Sequence, residues 1–249
     1  MAIYDKEFYK GQQGGSYKSA REVFPQLFKY VQPQSAIDIG CGVGTWLKAL
    51  QDAHGVKEVL GVDGDYVSKD ALLIDTANFR PHDLTKPFSA PKRYDLAISV
   101  EVGEHLPDAA ADNFVKSLTG AADMVLFSAA LVDQGGTNHI NEQYPEYWAK
   151  KFASHGYVPV DCIRKAIWNN ENVEWWYRQN IILFVKKEKL ETLPELKAIA
   201  DKTDIDFLTR IHPGLVSLLL KTQGSLATPV GFAKHNVKSV YKKVFRKKY

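Results

Sequence analysis

The stretch from Ser35 to Trp46, SAIDIGCGVGTW, constrains the fold of this chain more than any other. A short apolar run, Ala36 to Ile39 broken by Asp38, meets Gly40, Gly42 and Gly44, and Trp46, Leu47 and Leu50 follow at helical spacing. That order predicts a buried strand, a tight glycine turn and the first turn of a helix. Glycines let a backbone approach a ligand closely, and a helix N-terminus offers unpaired N–H groups to it. The spacing G-x-G-x-G is one residue shorter than the G-x-G-x-x-G of dinucleotide folds. A glycine turn without a ligand is the plainer alternative.

The flanking segments extend the pattern. Ala20 to Val31 carries an apolar helical stripe ending at Pro33, and the Gly/Gln-rich stretch before it, Tyr4 to Gly15, reads as mobile. Glu58 to Asp63 reads as a second strand, Phe79 to Leu84 as a short third, Tyr94 to Val100 as a fourth and Met124 to Ser128 as a fifth. Helices are expected at about Thr45–Ala53, Pro107–Leu118 and Tyr144–His155. Strands alternating with helices argue for a parallel, doubly wound sheet. Tyr157 to Arg164 and Glu174 to Val185 then read as strands with no helix between them, so they should pair antiparallel. Asp63 ends the second strand 23 residues beyond Gly40, where a carboxylate can accept both hydroxyls of a ribose; a turn-forming Asp before Gly64 is the alternative.

Motif spacing and strand order together resemble the class I S-adenosylmethionine (SAM)-dependent methyltransferases, whose first motif is D-x-G-x-G-x-G. The resemblance spans residues 20–187 and implies a Rossmann-like α/β sheet of seven strands, the last inserted antiparallel. It implies SAM as cofactor, with Asp38, Gly40, Cys41, Gly42, Gly44, Asp63, Gly64 and Ser99 around it. Asp83 would take a hydrogen bond from the adenine amino group and Leu84 would offer its N–H; capping of the next turn is an equal alternative for Asp83. The expected organisation is an N-terminal helix or lid over 1–33, the methyltransferase domain over 34–187 and a helical extension over 188–249. In that extension Lys189–Ala200 and Ile205–Leu220 look helical, the latter interrupted at Pro213-Gly214.

The turn after the fourth strand reads Glu101-Val-Gly-Glu104-His105. On one helical turn these three side chains share a face, at the sheet edge where ligands bind. Two carboxylates and an imidazole converging there repel unless a cation or proton sits between them, and a hard divalent ion such as Mg²⁺ or Mn²⁺, or the softer Co²⁺, suits the set. His139, in the polar loop Gly135–Gln143, can close the site. The E-x-x-E-H with a distant His is similar to the metal centre of small-RNA 2′-O-methyltransferases, and the E-x-x-E-H alone to ubiquinone-pathway O-methyltransferases. That resemblance makes Glu101, Glu104, His105 and His139 metal ligands, with Glu104, His105 and His139 catalytic. A metal-free Glu-His-Leu, in which the His caps or packs, is the alternative. His54, His82, His155, His212 and His235 have no comparable company. Trp168, Trp175, Trp176 and Tyr177 read as core, with one or two walling a substrate pocket.

Charge separates the partners. Of a formal net +3, residues 230–249 contribute seven Lys/Arg and no acid, leaving 25 basic against 29 acidic side chains elsewhere. An acidic body disfavours nucleic acid, which needs a basic face. The activity that the resemblance implies is divalent-metal-assisted O-methylation of a small-molecule acceptor, a carbohydrate or surface-glycan precursor among the candidates. An RNA 2′-O-methyltransferase and a non-catalytic SAM-binding scaffold are the rivals. The basic tail repeats apolar residues at Val237, Val240, Tyr241, Val244 and Phe245, which suits an amphipathic helix on a membrane surface or a partner. Two cysteines supply no disulfide framework, and Met1 to Glu7 lacks a signal-peptide pattern, so the cytoplasm is the expected location.

Overall fold

A computed structural model describes residues 6–226, with side chains over 14–222. Its strands are β1 (Ser35–Ile39), β2 (Glu58–Asp63), β3 (Phe79–Pro81), β4 (Leu96–Val100), β5 (Met124–Ser128), β6 (Tyr157–Val160) and β7 (Ile182–Lys186). They form one sheet in the order β3-β2-β1-β4-β5-β7-β6. Pairings among the first five strands are parallel, and β7 lies antiparallel between β5 and β6. This is the expected seven-stranded methyltransferase arrangement.

Both sheet faces are covered, which is why the central strands read as near-continuous apolar runs. Ala36, Leu96, Ile98 and Leu126 face one core with Phe24, Leu27, Trp46 and Leu50. The alternate residues Ile37, Ile39, Ala97, Val125 and Phe127 face the other, with Phe114, Trp148 and Phe152. The helices behind these contacts are α1 (Lys6–Leu27), α2 (Thr45–His54), α3 (Ala111–Ala121) and α4 (Pro145–Ser154). Phe152 stacks on Phe184 at 4.0 Å and 12°, so Phe152→Ala should cost about 3–5 kcal/mol. Asp95 Oδ2 accepts from the Gln34 and Ser35 amides and the Ser35 hydroxyl at 2.9–3.0 Å, which pins the start of β1 beside β4.

Three expectations are corrected. The Gly/Gln-rich N-terminal stretch is helical from Lys6 on, continuous with the apolar stripe after it. Gly15 leaves room for the Glu174 carboxylate against α1, and Ser19 Oγ accepts from the Glu174 amide at 3.0 Å. Glu174 to Val185 is not one strand. Two short helices, α5 (Arg164–Ile167) and α6 (Trp175–Asn180), precede β7. The aromatic run favours a strand by propensity, but tertiary packing overrides it: Tyr177 packs edge-on against Trp46 at 5.3 Å. Finally, Lys189–Ala200 is split into α7 (Lys187–Leu190) and α8 (Pro194–Ala200), and Pro213 opens α9 (Pro213–Leu226) instead of interrupting a helix. Proline fits the first helical position, where its missing N–H has no partner to lose.

The chain forms two compact units that meet between Arg210 and Ile211. Residues 188–210 therefore stay with the sheet. Buried Arg164 ties them there, with Nη1 donating to the Leu208 and Gln179 carbonyls and Nε and Nη2 to Asp161. The amphipathic pattern over 237–245 lies outside the described residues. No helix among the described residues is long and apolar enough to cross a membrane.

Candidate active site

The glycine turn sits at the carboxyl end of β1. Gly40, Gly42 and Gly44 have φ of 96°, 53° and 84°, a region that side-chain-bearing residues avoid. A Cβ on Gly40 would run into Val102, so the turn lies directly against the segment after β4. Asp63, at the end of β2, is buried. Its Oδ2 accepts from the Gly42 amide at 2.6 Å, and its Oδ1 from the Gly64 amide at 2.7 Å and the Tyr66 hydroxyl at 2.5 Å. Burial raises its pKa and those three bonds oppose the rise. Asp38 is more deeply buried and its Oδ1 has no partner. Burial, then the Asp63 charge, holds its carboxyl well above the usual range. Burial does the same to the Cys41 thiol, which donates to the Gly42 carbonyl.

The remaining expected cofactor residues divide. Leu84 is buried beside this edge. Asp83 is exposed and caps its own turn, accepting from the Thr85 amide and hydroxyl at 3.1 and 2.6 Å and pairing with Lys86 at 3.3 Å. Ser99 has no exposed surface, and its hydroxyl donates to the Ile39 carbonyl at 2.7 Å. It joins β4 to β1 instead of facing the crevice.

Beyond β4 the backbone turns through Glu101, whose φ of 54° is left-handed, into a 3₁₀ turn over Gly103–His105. The Glu101 amide donates to the Ser128 carbonyl at 3.0 Å. Its carboxylate does not join the other acidic and imidazole groups. Gln134 Nε2 donates to one oxygen at 2.9 Å and Asn180 Nδ2 to the other at 3.1 Å. Glu101 thus departs from the expected four-ligand set.

Glu104, His105 and His139 do come together, each offering one ligand atom within 4.8 Å of the others. Glu104 is fully buried and neither carboxylate oxygen has a partner. Burial, then the charge of Glu101, pushes its pKa well above the usual value. Leaving a buried carboxylate unpaired is costly, so the arrangement calls for a proton or a cation. Burial, then His139, lowers the His105 pKa to about 4, so that ring is neutral near pH 7 and keeps a lone pair. The two imidazoles stand edge to face at 4.9 Å.

The loop after β5 carries His139 into place. The Ile140 and Asn141 amides donate to the Glu104 carbonyl at 2.9 and 3.0 Å. His139 Nδ1 lies 2.8 Å from Glu142 Oε1, and Glu142 also accepts from the Gly135 and Asp133 amides at 2.7 and 3.0 Å. An ionised carboxylate only accepts, so this contact fixes the Nδ1–H tautomer and leaves Nε2 as the ligand atom. Sequence reasoning missed Glu142, Gln134 and Asn180. The His139-x-x-Glu142 spacing was a usable signal for the first. Gln134 and Asn180 reach Glu101 from 33 and 79 residues away, and no local pattern marks them.

The donor set thus fits a divalent cation, and the glycine turn with Asp63 fits a nucleoside cofactor. Residues 13–180 match the family described as a methyltransferase domain. Over 85 residues the chain is 32% identical to a probable chloroplastic tocopherol O-methyltransferase from Oryza sativa subsp. japonica, covering 31% of this chain and 23% of that protein. Among solved structures it is similar to human N-acetylserotonin methyltransferase in complex with SAM, with a TM-score of 0.53 and 16% identity over 72% of this chain. It spans only 55% of that enzyme's length. It is also similar to the methyltransferase domain of bacterial CtHen1-C, with a TM-score of 0.51 and 21% identity over 69% of this chain and 98% of that one. With the family match spanning six of the seven strands, the glycine turn and both histidines, the chain belongs to the methyltransferases.

Proposed function

We propose that the protein methylates a hydroxyl oxygen of a small acceptor, a sugar or a phenol, with a divalent cation held by Glu104, His105 and His139. The observation that carries this reading is the Glu104 carboxylate, fully buried with both oxygens unpartnered, between two imidazoles. A cation there would supply Lewis acidity that lowers the pKa of an acceptor hydroxyl, and SAM would supply the methyl group. The chain's own residues do the rest. Gly40, Gly42 and Gly44 let the backbone approach the cofactor, and Asp63 offers acceptors for ribose hydroxyls. Glu142 holds the His139 ring in one tautomer, and Gln134 and Asn180 hold the Glu101 carboxylate in place. Ile140 and Tyr144, both exposed and following His139 in the chain, offer apolar surface to an acceptor. The similar rice protein is named as an O-methyltransferase, which supports oxygen as the receiving atom. The acidic body supports an uncharged acceptor over nucleic acid.

The test is turnover of SAM with a panel of sugars and phenols after the protein is stripped with EDTA and dialysed. Activity should vanish and return with Mn²⁺ or Co²⁺ at least as well as with Mg²⁺, since two imidazoles soften the site. Cofactor affinity should stay unchanged throughout. Full activity in excess EDTA would leave His105 or His139 as a metal-free general base.

A further inference from the structure

α9 is unlike the other helices. From Pro213 to Leu220 it carries no charge, and Val216, Leu218, Leu219 and Leu220 are 44, 41, 37 and 61% exposed. Val216, Leu219 and Leu220 fall at i, i+3 and i+4 and share one face. Water-exposed leucines in a row mark a surface that is covered in use. The sequence beyond α9 indicates what covers it. Residues 230–249 hold seven Lys/Arg and no acid, with apolar residues at helical spacing from Val237 to Phe245.

We propose that the unit beginning at Ile211 docks the protein on an anionic phospholipid surface, its leucines entering the acyl boundary and its lysines meeting headgroup phosphates. The charge complementarity is local. Residues 1–210 hold 24 basic against 29 acidic side chains, a net charge of −5, and gain nothing from an anionic surface, so attraction is confined to the C-terminal unit. The leucines choose between polyanions. A nucleic acid backbone takes lysines but has no use for a row of exposed leucines, whereas a bilayer interface takes both. The docking is peripheral, since no described helix is long and apolar enough to cross. It does not depend on the acceptor or cation assigned above.

The experiment is co-sedimentation of the full chain with vesicles of phosphatidylcholine alone and of phosphatidylcholine mixed with phosphatidylglycerol. The protein should pellet with the mixed vesicles and stay in solution with the neutral ones. The triple variant Val216→Ser, Leu219→Ser, Leu220→Ser, hereafter the leucine variant, should bind the mixed vesicles about tenfold more weakly or worse, since three buried aliphatic side chains contribute more than one decade of affinity. A second variant, Lys242→Glu, Lys243→Glu, Arg246→Glu, should lose selectivity for the anionic lipid. Both should bind SAM like the parent, which certifies the fold of the unit that ends at Arg210, and should keep the parent's helical content by circular dichroism, which certifies the mutated one. Undiminished binding by the leucine variant overturns the proposal in favour of charge alone. Failure to pellet, equal pelleting on both vesicle types, displacement by stoichiometric RNA, or a vesicle-free oligomer that the leucine variant dissolves also overturns it.

Discussion

The two halves of the crevice lie side by side at the carboxyl edge of the sheet and are built in opposite ways. The cofactor half is mostly backbone: three glycines, with Asp63 held by three donors and Asp38 buried near it with one oxygen unpartnered. The other half is mostly side chains converging from separate segments, with Glu104 and His105 after β4, His139 and Glu142 after β5, and Asn180 at the end of α6. Strain follows the same division. Among the described residues, the non-glycine residues with left-handed φ are Glu101, Asp133 and Asn138, all in this second half. Each costs on the order of 1–3 kcal/mol, and such residues persist where the surroundings hold them for a task. Both halves keep a buried carboxylate oxygen without a partner, but only in the second does that carboxylate stand beside two imidazoles.

Substitutions at the two halves should therefore fail differently. Glu104→Gln should lower turnover most, about 1,000-fold or more, because it removes a ligand from a unit supplying several kcal/mol to the transition state. Calorimetry with SAM should show its cofactor affinity intact. Asp63→Ala should do the reverse, weakening SAM by about 30–100-fold through the loss of about 2–3 kcal/mol of charge-assisted hydrogen bonds. Cation affinity in Asp63→Ala should be unchanged, and a parallel loss of both affinities would dissolve the distinction between the halves. Glu142→Gln should weaken cation binding by about 10–100-fold, the usual effect of removing a partner that orients a ligating histidine. Glu142→Asp should recover part of it, which a merely structural loop defect would not permit.

The smallest effect expected is on stability. In chelator-stripped protein, Glu104 carries a pKa raised above its unfolded value of about 4.5 by burial and by Glu101. A raised acid gives stability that is present below the unfolded pKa and lost as pH rises toward the folded one. Glu104→Gln does not titrate there, so its advantage over the parent should be slight near about pH 4.5 and grow with pH. A gain of about 1–2 kcal/mol by pH 8 in urea unfolding is the expected size. A gain that shrinks with rising pH would mean that Glu104 is ionised and paired in the folded chain.

The same division decided what could be read in advance. The glycine turn, β1, β2 and β5 follow from local patterns because a buried parallel strand and a tight turn each need particular residues at fixed offsets. Glu104, His105 and His139 were legible as chemistry, because acids and imidazoles in a polar loop have few structural uses. The role of Glu101 was not, since its carboxylate is taken by two amides that only the fold brings near. Ser99 and Asp83 were ambiguous for a related reason. A hydroxyl at a strand end and an Asp in a turn serve backbone groups as readily as a ligand, and here Ile39 and Thr85 claim them. The aromatic run Trp175–Tyr177 misled as a strand because its packing partner, Trp46, is remote in sequence.

The central claim is that Glu104, His105 and His139 form a cation site separable from the cofactor site. It is tested most directly by titrating Mn²⁺ into the EDTA-stripped full chain and into Glu104→Gln, following free Mn²⁺ by electron paramagnetic resonance. The account predicts one ion per chain in the parent, with affinity lost in the variant while both proteins bind SAM equally well. Absence of binding in the parent, or equal binding by the variant, would contradict it.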